Sequence, residues 1–141
     1  MLDNDKSSLD YSDLVELYNK NQFKEVIEKI NTFDNLPENN IKIYNLLAAS
    51  YLGLNNIDHA QDWYAKVLSI DPNNYDALVN LGNIKLGEKS YQLAFDLFSK
   101  TRNHQVIDSQ ILAKMGMCLF KLDHFDDAIS LCEEAISLDP Q

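Results

Sequence analysis

The sequence predicts an all-α fold, an array of antiparallel helical hairpins, and three observations predict it. Apolar residues recur at intervals of three and four, as on one stripe of an amphipathic helix. Sliding the chain along itself by 34 residues lines up residue types through most of its length, the mark of a repeat architecture. With 4 Gly and 3 Pro in 141 residues, the chain is too poor in turn punctuation for a meander of short strands. An apolar share of 45% is enough for a core without disulfide staples.

The elements follow in order from this register. A polar leader, residues 1–6, precedes a degenerate first unit, 7–40, and then units 41–74, 75–108 and 109–141, in one continuous array. Phe23, Ile57, Tyr91 and Phe125 are successively 34 apart, followed three residues on by Val26, Ala60, Ala94 and Ala128, and then by Ile30, Tyr64, Phe98 and Cys132. Upstream, Leu47, Leu81 and Met115 precede the small residues Ala48, Gly82 and Gly116. The breaks at 53–56, 87–90 and 121–124 divide each later unit into two helices. Asp71-Pro72 and Asp139-Pro140 end second helices, because the residue before Pro is pushed out of the helical region. Gly inside a helix costs about 1 kcal/mol relative to Ala, so Gly82 and Gly116 require a packing reason. The pairs Ala48 with Ala60, Gly82 with Ala94, and Gly116 with Ala128 are expected where two helices cross closely. At the start of the chain, Asp10 and Asp13 stand where apolar residues would have no preceding unit to bury them, and residues 7–13 are expected to cap the first helix.

Charge narrows the partners. Twelve Lys and Arg against 22 Asp and Glu give a net charge of −10, which repels a nucleic-acid duplex or an anionic bilayer. Neither is expected as a partner. The acidic start lacks the cationic and apolar stretches of a secretory signal, and no run approaches the length of a membrane helix, so a cytoplasmic setting is expected. Cys118 and Cys132 have no Cys or His companion at metal spacing and are read as two reduced core thiols.

These residues resemble the tetratricopeptide repeat. Residues 41–74 match through Tyr44, Leu47, Ala48, Tyr51, Ala60, Tyr64, Val67 and Pro72. Residues 75–108 match through Leu78, Leu81, Gly82, Ala94 and Phe98, but carry Lys85 in place of an aromatic and Val106 in place of Pro. Residues 109–141 match through Leu112, Met115, Gly116, Leu119, Ala128, Ala135 and Pro140. The resemblance implies a right-handed α-solenoid of four such units. It also implies a concave face that holds a peptide or helix of a partner protein, lined by the first helix of each unit. Carried onto this chain, the ligand-binding positions include Lys42, Asn45, Ala49, Asn80, Asn83, Lys114, Met117 and Lys121. Asn side chains offer both a donor and an acceptor, while Leu46, Val79, Met117 and Phe120 are candidates to receive apolar side chains.

The first helices of the last three units carry Lys42, Lys85, Lys114 and Lys121 against Asp76 and Glu88, whereas residues 123–141 carry six carboxylates and no Lys or Arg. An acidic ligand is therefore expected in the groove. The family's five-residue clamp for acidic chaperone tails does not transfer. Its positions fall on Asn45, Ala49, Asn80, Gln110 and Lys114, of which only Asn80 and, loosely, Lys114 agree.

The expected function is a non-catalytic protein–protein interaction module. The alternative implied by the family is an N-terminal, substrate-presenting repeat region of a larger transferase-type enzyme. No cofactor or metal is expected. His59, His104 and His124 have no ligand spacing, and neither a phosphate-binding loop nor a nucleophile motif is present. The last helix shows Phe125, Ile129, Leu131, Ala135, Ile136 and Leu138 with no solvating helix after it, so that edge is expected to be covered by further chain or by an end-to-end homodimer.

Overall fold

The structure, a computed structural model, describes residues 9–140 except Asn35 and Gln105. The leader, Ser7 and Ser8 of the expected cap, and Gln141 lie outside the described residues. Those described form the helices α1 (Tyr11–Asn19), α2 (Phe23–Asn31), α3 (Ile41–Gly53), α4 (Ile57–Ile70), α5 (Tyr75–Gly87), α6 (Tyr91–Lys100), α7 (Ser109–Lys121) and α8 (Phe125–Leu138), with a 3₁₀ turn at Thr101–Asn103. No strand occurs among them. The chain divides into two compact units, Met1–Lys66 and Val67–Gln141, the division falling within α4.

The 34-residue period is written in the backbone as well as in the side chains. Asn21, Asn55, Lys89 and Asp123, each 34 from the next, adopt left-handed conformations with φ of 59°, 57°, 61° and 65°. The residue after each closes the preceding helix: the amides of Gln22, Asn56, Ser90 and His124 donate to the carbonyls of Leu17, Tyr51, Lys85 and Leu119 at 2.9–3.0 Å. This is the six-to-one closure of a helix C-terminus, which caps orphan carbonyls and turns the chain back. Each helix therefore runs one residue into its expected break, to Gly53, Gly87 and Lys121.

The other boundaries have local causes. α4 and α8 stop one residue short of Asp71-Pro72 and Asp139-Pro140. In the unit with Val106 in place of Pro, α6 has 10 residues against 14 in α4 and α8. The Thr101 hydroxyl donates to the Phe98 carbonyl at 2.6 Å, a local bond that competes with continuation of the helix. At the start, Asp10 serves as the N-cap of α1, accepting from the Ser12 amide (2.9 Å) and hydroxyl (2.8 Å). Asp13 lies in the first turn, where a negative charge opposes the helix dipole.

In the first unit, Leu14, Val26, Ile30, Leu47, Ala48, Ala60 and Tyr64 are buried. Gly53 admits the Phe23 ring, since a Cβ there would lie 2.5 Å from it. In the second unit, Ala94, Phe98, Ile111, Leu112, Met115, Cys118 and Ala135 form one core cluster. Gly82 has a packing reason in the Phe98 ring: a Cβ would lie 2.6 Å from it. A Cβ on Gly116 would meet the Cys132 Sγ at 2.8 Å and the Ala128 carbonyl at 3.2 Å. The thiols divide, because Cys118 is buried while Cys132 is exposed. The expectation of two core thiols is thus corrected: Cys132 lies on the face of α8 that lines an open trough.

Candidate protein-interaction face

In the second unit, α5 and α7 begin alike. The Asn74 side chain caps α5 through the Ala77 amide (3.1 Å), and Asp108 caps α7 through the Gln110 amide (2.8 Å). The two starts are also tied together. The Tyr75 hydroxyl donates to Asp108 Oδ2 at 3.4 Å, His104 Nε2 meets the Asn73 carbonyl at 2.6 Å, and the Tyr75 and His104 rings pack edge to face at 5.2 Å. Burial, reinforced by the Asp108 carboxylate, raises the Tyr75 hydroxyl above its ordinary pKa, which keeps it a neutral donor. Sequence reasoning did not single out this cluster. Its signal is the near-repeat separation of 33 residues between Tyr75 and Asp108.

Along these helices the structure brings together two of the expected ligand-binding residues. Lys114 Nζ donates to Asn83 Oδ1 across α7 and α5 at 2.7 Å in a half-buried setting. An ammonium has three donors, so Lys114 retains two, and Asn83, its oxygen engaged, presents its NH₂. Asn80 is complementary: its NH₂ donates to the Asp76 carbonyl of its own helix at 2.8 Å, so it presents its oxygen. Lys121 is exposed, seven residues beyond Lys114. Lys85 is compensated by Glu88 at 3.0 Å, which leaves Lys114 and Lys121 as the cations of this face on α7.

In the first unit, α3 carries the other expected positions. Lys42 is exposed, with Nζ 5.8 Å from the centre of the Tyr11 ring. Asn45 and Ala49 are half-buried. Leu46 is 7% exposed and packs in the core, so it is not available to a ligand side chain. Met117 and Phe120, by contrast, are exposed and line a trough of about 370 Å³ between α7 and α8 with Ile129, Cys132 and Ile136.

His59, like His104, has structural partners. His59 stacks on Tyr51 at 4.9 Å and its Nδ1 lies 3.0 Å from Asn56 Oδ1. His124 lines a cavity of about 600 Å³ with Phe95, Arg102 and Asp127. Among the described residues no group of three His, Cys, Asp or Glu is placed to hold a metal ion, and no helix is long and apolar enough to cross a membrane.

With this geometry the chain compares with known proteins as follows. It is 33% identical over 72 residues, 51% of its length, to the TPR repeat-containing protein YsoA of Bacillus subtilis (strain 168). It is 27% identical over 132 residues, 92% of its length, to the BBSome complex member BBS4 homolog of Drosophila melanogaster. The chain spans 21% and 27% of these two curated relatives. The solved structure of MamA from Desulfovibrio magneticus RS-1 matches 92% of the chain and 73% of its own with a TM-score of 0.81 at 18% identity, which establishes a shared fold. The tetratricopeptide-type family model described as anaphase-promoting complex, cyclosome, subunit 3 matches residues 54–135. That match covers more than half of the sequence, and the chain belongs to this family of tetratricopeptide repeats.

Proposed function

We propose that the chain is a non-catalytic protein-interaction module that holds an acidic segment of a partner on the α5–α7 face of its second unit. The fold is of a type that serves generally as a protein–protein interaction scaffold. The observation that carries the finer reading is the Lys114–Asn83 hydrogen bond of 2.7 Å. It fixes a long cationic side chain that would otherwise be mobile, and it points the remaining hydrogen-bonding capacity of both residues toward acceptors. A carboxylate receives donors from Lys114 and Asn83, while the Asn80 oxygen accepts a backbone N–H of the same ligand. Prior fixation lowers the ordering cost of binding. Lys42, Asn45 and Ala49 of α3 provide the corresponding positions of the first unit.

The test is fluorescence anisotropy with a synthetic Asp/Glu-rich peptide of about 12 residues, long enough to follow two helix widths, and its Lys-rich counterpart. The acidic peptide is expected to bind the wild-type chain, and Lys114→Ala is expected to weaken it by about tenfold or more, the loss of a charged hydrogen bond. Asn80→Ala is expected to give a smaller loss. Unchanged binding in both variants would place the ligand elsewhere and overturn the reading.

A further inference from the structure

The α5–α7 face has a direction as well as a charge. Tyr75 meets Asp108 at the helix starts, and further along both helices Asn83 meets Lys114, so α5 and α7 run parallel. On α5, Asn80 lies about one turn before Asn83. On α7, Lys121 lies two turns after Lys114, about 10.5 Å along the axis and within about 20° of the same stripe. Three polar positions therefore follow one another along the seam: the Asn80 oxygen, the Lys114–Asn83 pair, and exposed Lys121. Met117, 43% exposed, stands between the two lysines on α7. At the position of α5 equivalent to Lys121 stands Gly87, where a Cβ would meet nothing within 4 Å, so the seam is open there. The carboxylates nearby stand elsewhere or are engaged. Asp76 and Asp108 lie at the helix starts, Glu88 is held by Lys85 at 3.0 Å, and Asp123 sits in the turn after α7. Among the described residues no ion pair joins a carboxylate to Lys114 or Lys121.

We propose that this face reads the spacing of its ligand's charges: it takes a polyproline II segment with two carboxylates three residues apart, one on Lys114 and Asn83 and the next on Lys121. The inference rests on the acidic-segment reading above and adds the ligand's conformation and pattern. Spacing selects the conformation. A polyproline II chain returns to the same side every third residue, about 9.3 Å along its axis, and flexible Lys and Glu side chains absorb the remaining difference from about 10.5 Å. A strand presents residues on one side about 7 Å or about 13 Å apart, respectively short of and beyond the lysine separation. A helix presents i and i+7 at about 10.5 Å, but its backbone N–H groups are consumed internally. Polyproline II makes no internal hydrogen bonds, so its N–H groups remain for the Asn80 oxygen, whose own NH₂ is already committed to the Asp76 carbonyl. Lys114 is half-buried and held by Asn83, whereas Lys121 is exposed, so the second carboxylate contributes less than the first.

The probes are labelled Gly/Ser peptides of about 12 residues that carry a single Glu, or a pair of Glu residues two, three or seven apart. The paired peptides have equal charge and differ only in spacing. A further peptide has Pro at both positions between Glu residues three apart, which holds the polyproline II conformation. Binding is read by fluorescence anisotropy at low salt, with the folding of each variant checked by circular dichroism. The three-apart pair is expected to bind about threefold or more tighter than the single Glu and than the other pairs, and the Pro peptide at least as tightly as the three-apart pair. Lys121→Ala is expected to bring the three-apart pair down to the single-Glu peptide while leaving the latter unchanged. Lys114→Ala should weaken both. Lys100→Ala, which removes the same charge from α6, should leave the ranking intact. Equal binding of the pairs, a preference for the seven-apart pair, a loss of affinity with Pro, or a ranking that survives Lys121→Ala would overturn the proposal, and Lys114-dependent binding would still uphold the acidic-segment reading. No binding of any Glu peptide, or binding indifferent to Lys114→Ala, would overturn both.

Discussion

Gly82 and Gly87 lie on the same helix and are expected to respond to a methyl group with opposite signs. A Cβ on Gly87 meets nothing within 4 Å, so Gly87→Ala should gain up to about 1 kcal/mol of helix propensity. A Cβ on Gly82 would press on the Phe98 ring, which is fully buried. Overpacking of about 1–3 kcal/mol then exceeds the propensity gain, and Gly82→Ala should destabilise. Chemical denaturation of the two variants measures both signs. Glycine spacing revealed that a close approach exists at Gly82, but not that the Phe98 ring takes part in it. Helical periodicity identifies a face and leaves open which side chain on the facing helix fills the gap. The thiols obey the same distinction. Burial raises the Cys118 thiol above its ordinary pKa, so a folded chain should consume one equivalent of alkylating reagent quickly, at Cys132, and a second only on unfolding.

At the scale of elements, the hairpin turns were legible as breaks in apolar periodicity, and their backbone conformation was not. The left-handed positions hold Asn, Asn, Lys and Asp where Gly would have announced them. Tertiary packing of the helices on either side evidently outweighs the local preference, at a cost of about 1 kcal/mol or more for a residue such as Lys89. Lys89→Gly should therefore raise stability by about 0.5–1 kcal/mol after the entropic penalty of glycine, and Lys89→Val should lower it. α6 stops early for a related reason: Val106 carries no stop signal, and the Thr101 bond to the Phe98 carbonyl is a side-chain event that periodicity does not register.

α1 holds three groups whose protonation is coupled to its structure. Hydrogen bonds from the Ser12 hydroxyl and amide lower the Asp10 pKa below its ordinary 3.8, and the bond from Lys20 lowers Glu16 below 4.5 while Lys20 rises above 10.5. Depressed carboxylates contribute stability that is in place above their ordinary values and is lost as pH falls through the folded values. The Lys20 contribution is in place below 10.5 and is lost as pH rises through its folded value. The ¹³Cα secondary shifts of α1 should thus hold steady through neutral pH and fall only once the pH drops below the ordinary carboxylate range.

Over the whole molecule, a net charge of −10 conceals two faces of opposite character within the second unit. α7 carries Lys114 and Lys121 on one edge, and α8 carries Asp126 and Glu133 beside exposed isoleucines. The charge asymmetry was legible because the repeat register assigns residues to faces. The Lys114–Asn83 bond and the Tyr75, His104 and Asp108 cluster were not, because each joins stretches of chain at offsets of 31 and 33 rather than 34. A binding scaffold of this fold acts through such side-chain arrangements more than through its topology.

The most direct measurement of the central claim is an amide chemical-shift titration of the ¹⁵N-labelled chain with the acidic peptide. The account predicts that the perturbed amides and side-chain NH₂ groups cluster at Asn80, Asn83, Lys114 and Lys121, with the Asn83 NH₂ among the most shifted, and that Lys114→Ala raises the peptide concentration needed by about tenfold or more. Perturbations confined to α6 and α8, or none at saturating peptide, would contradict it.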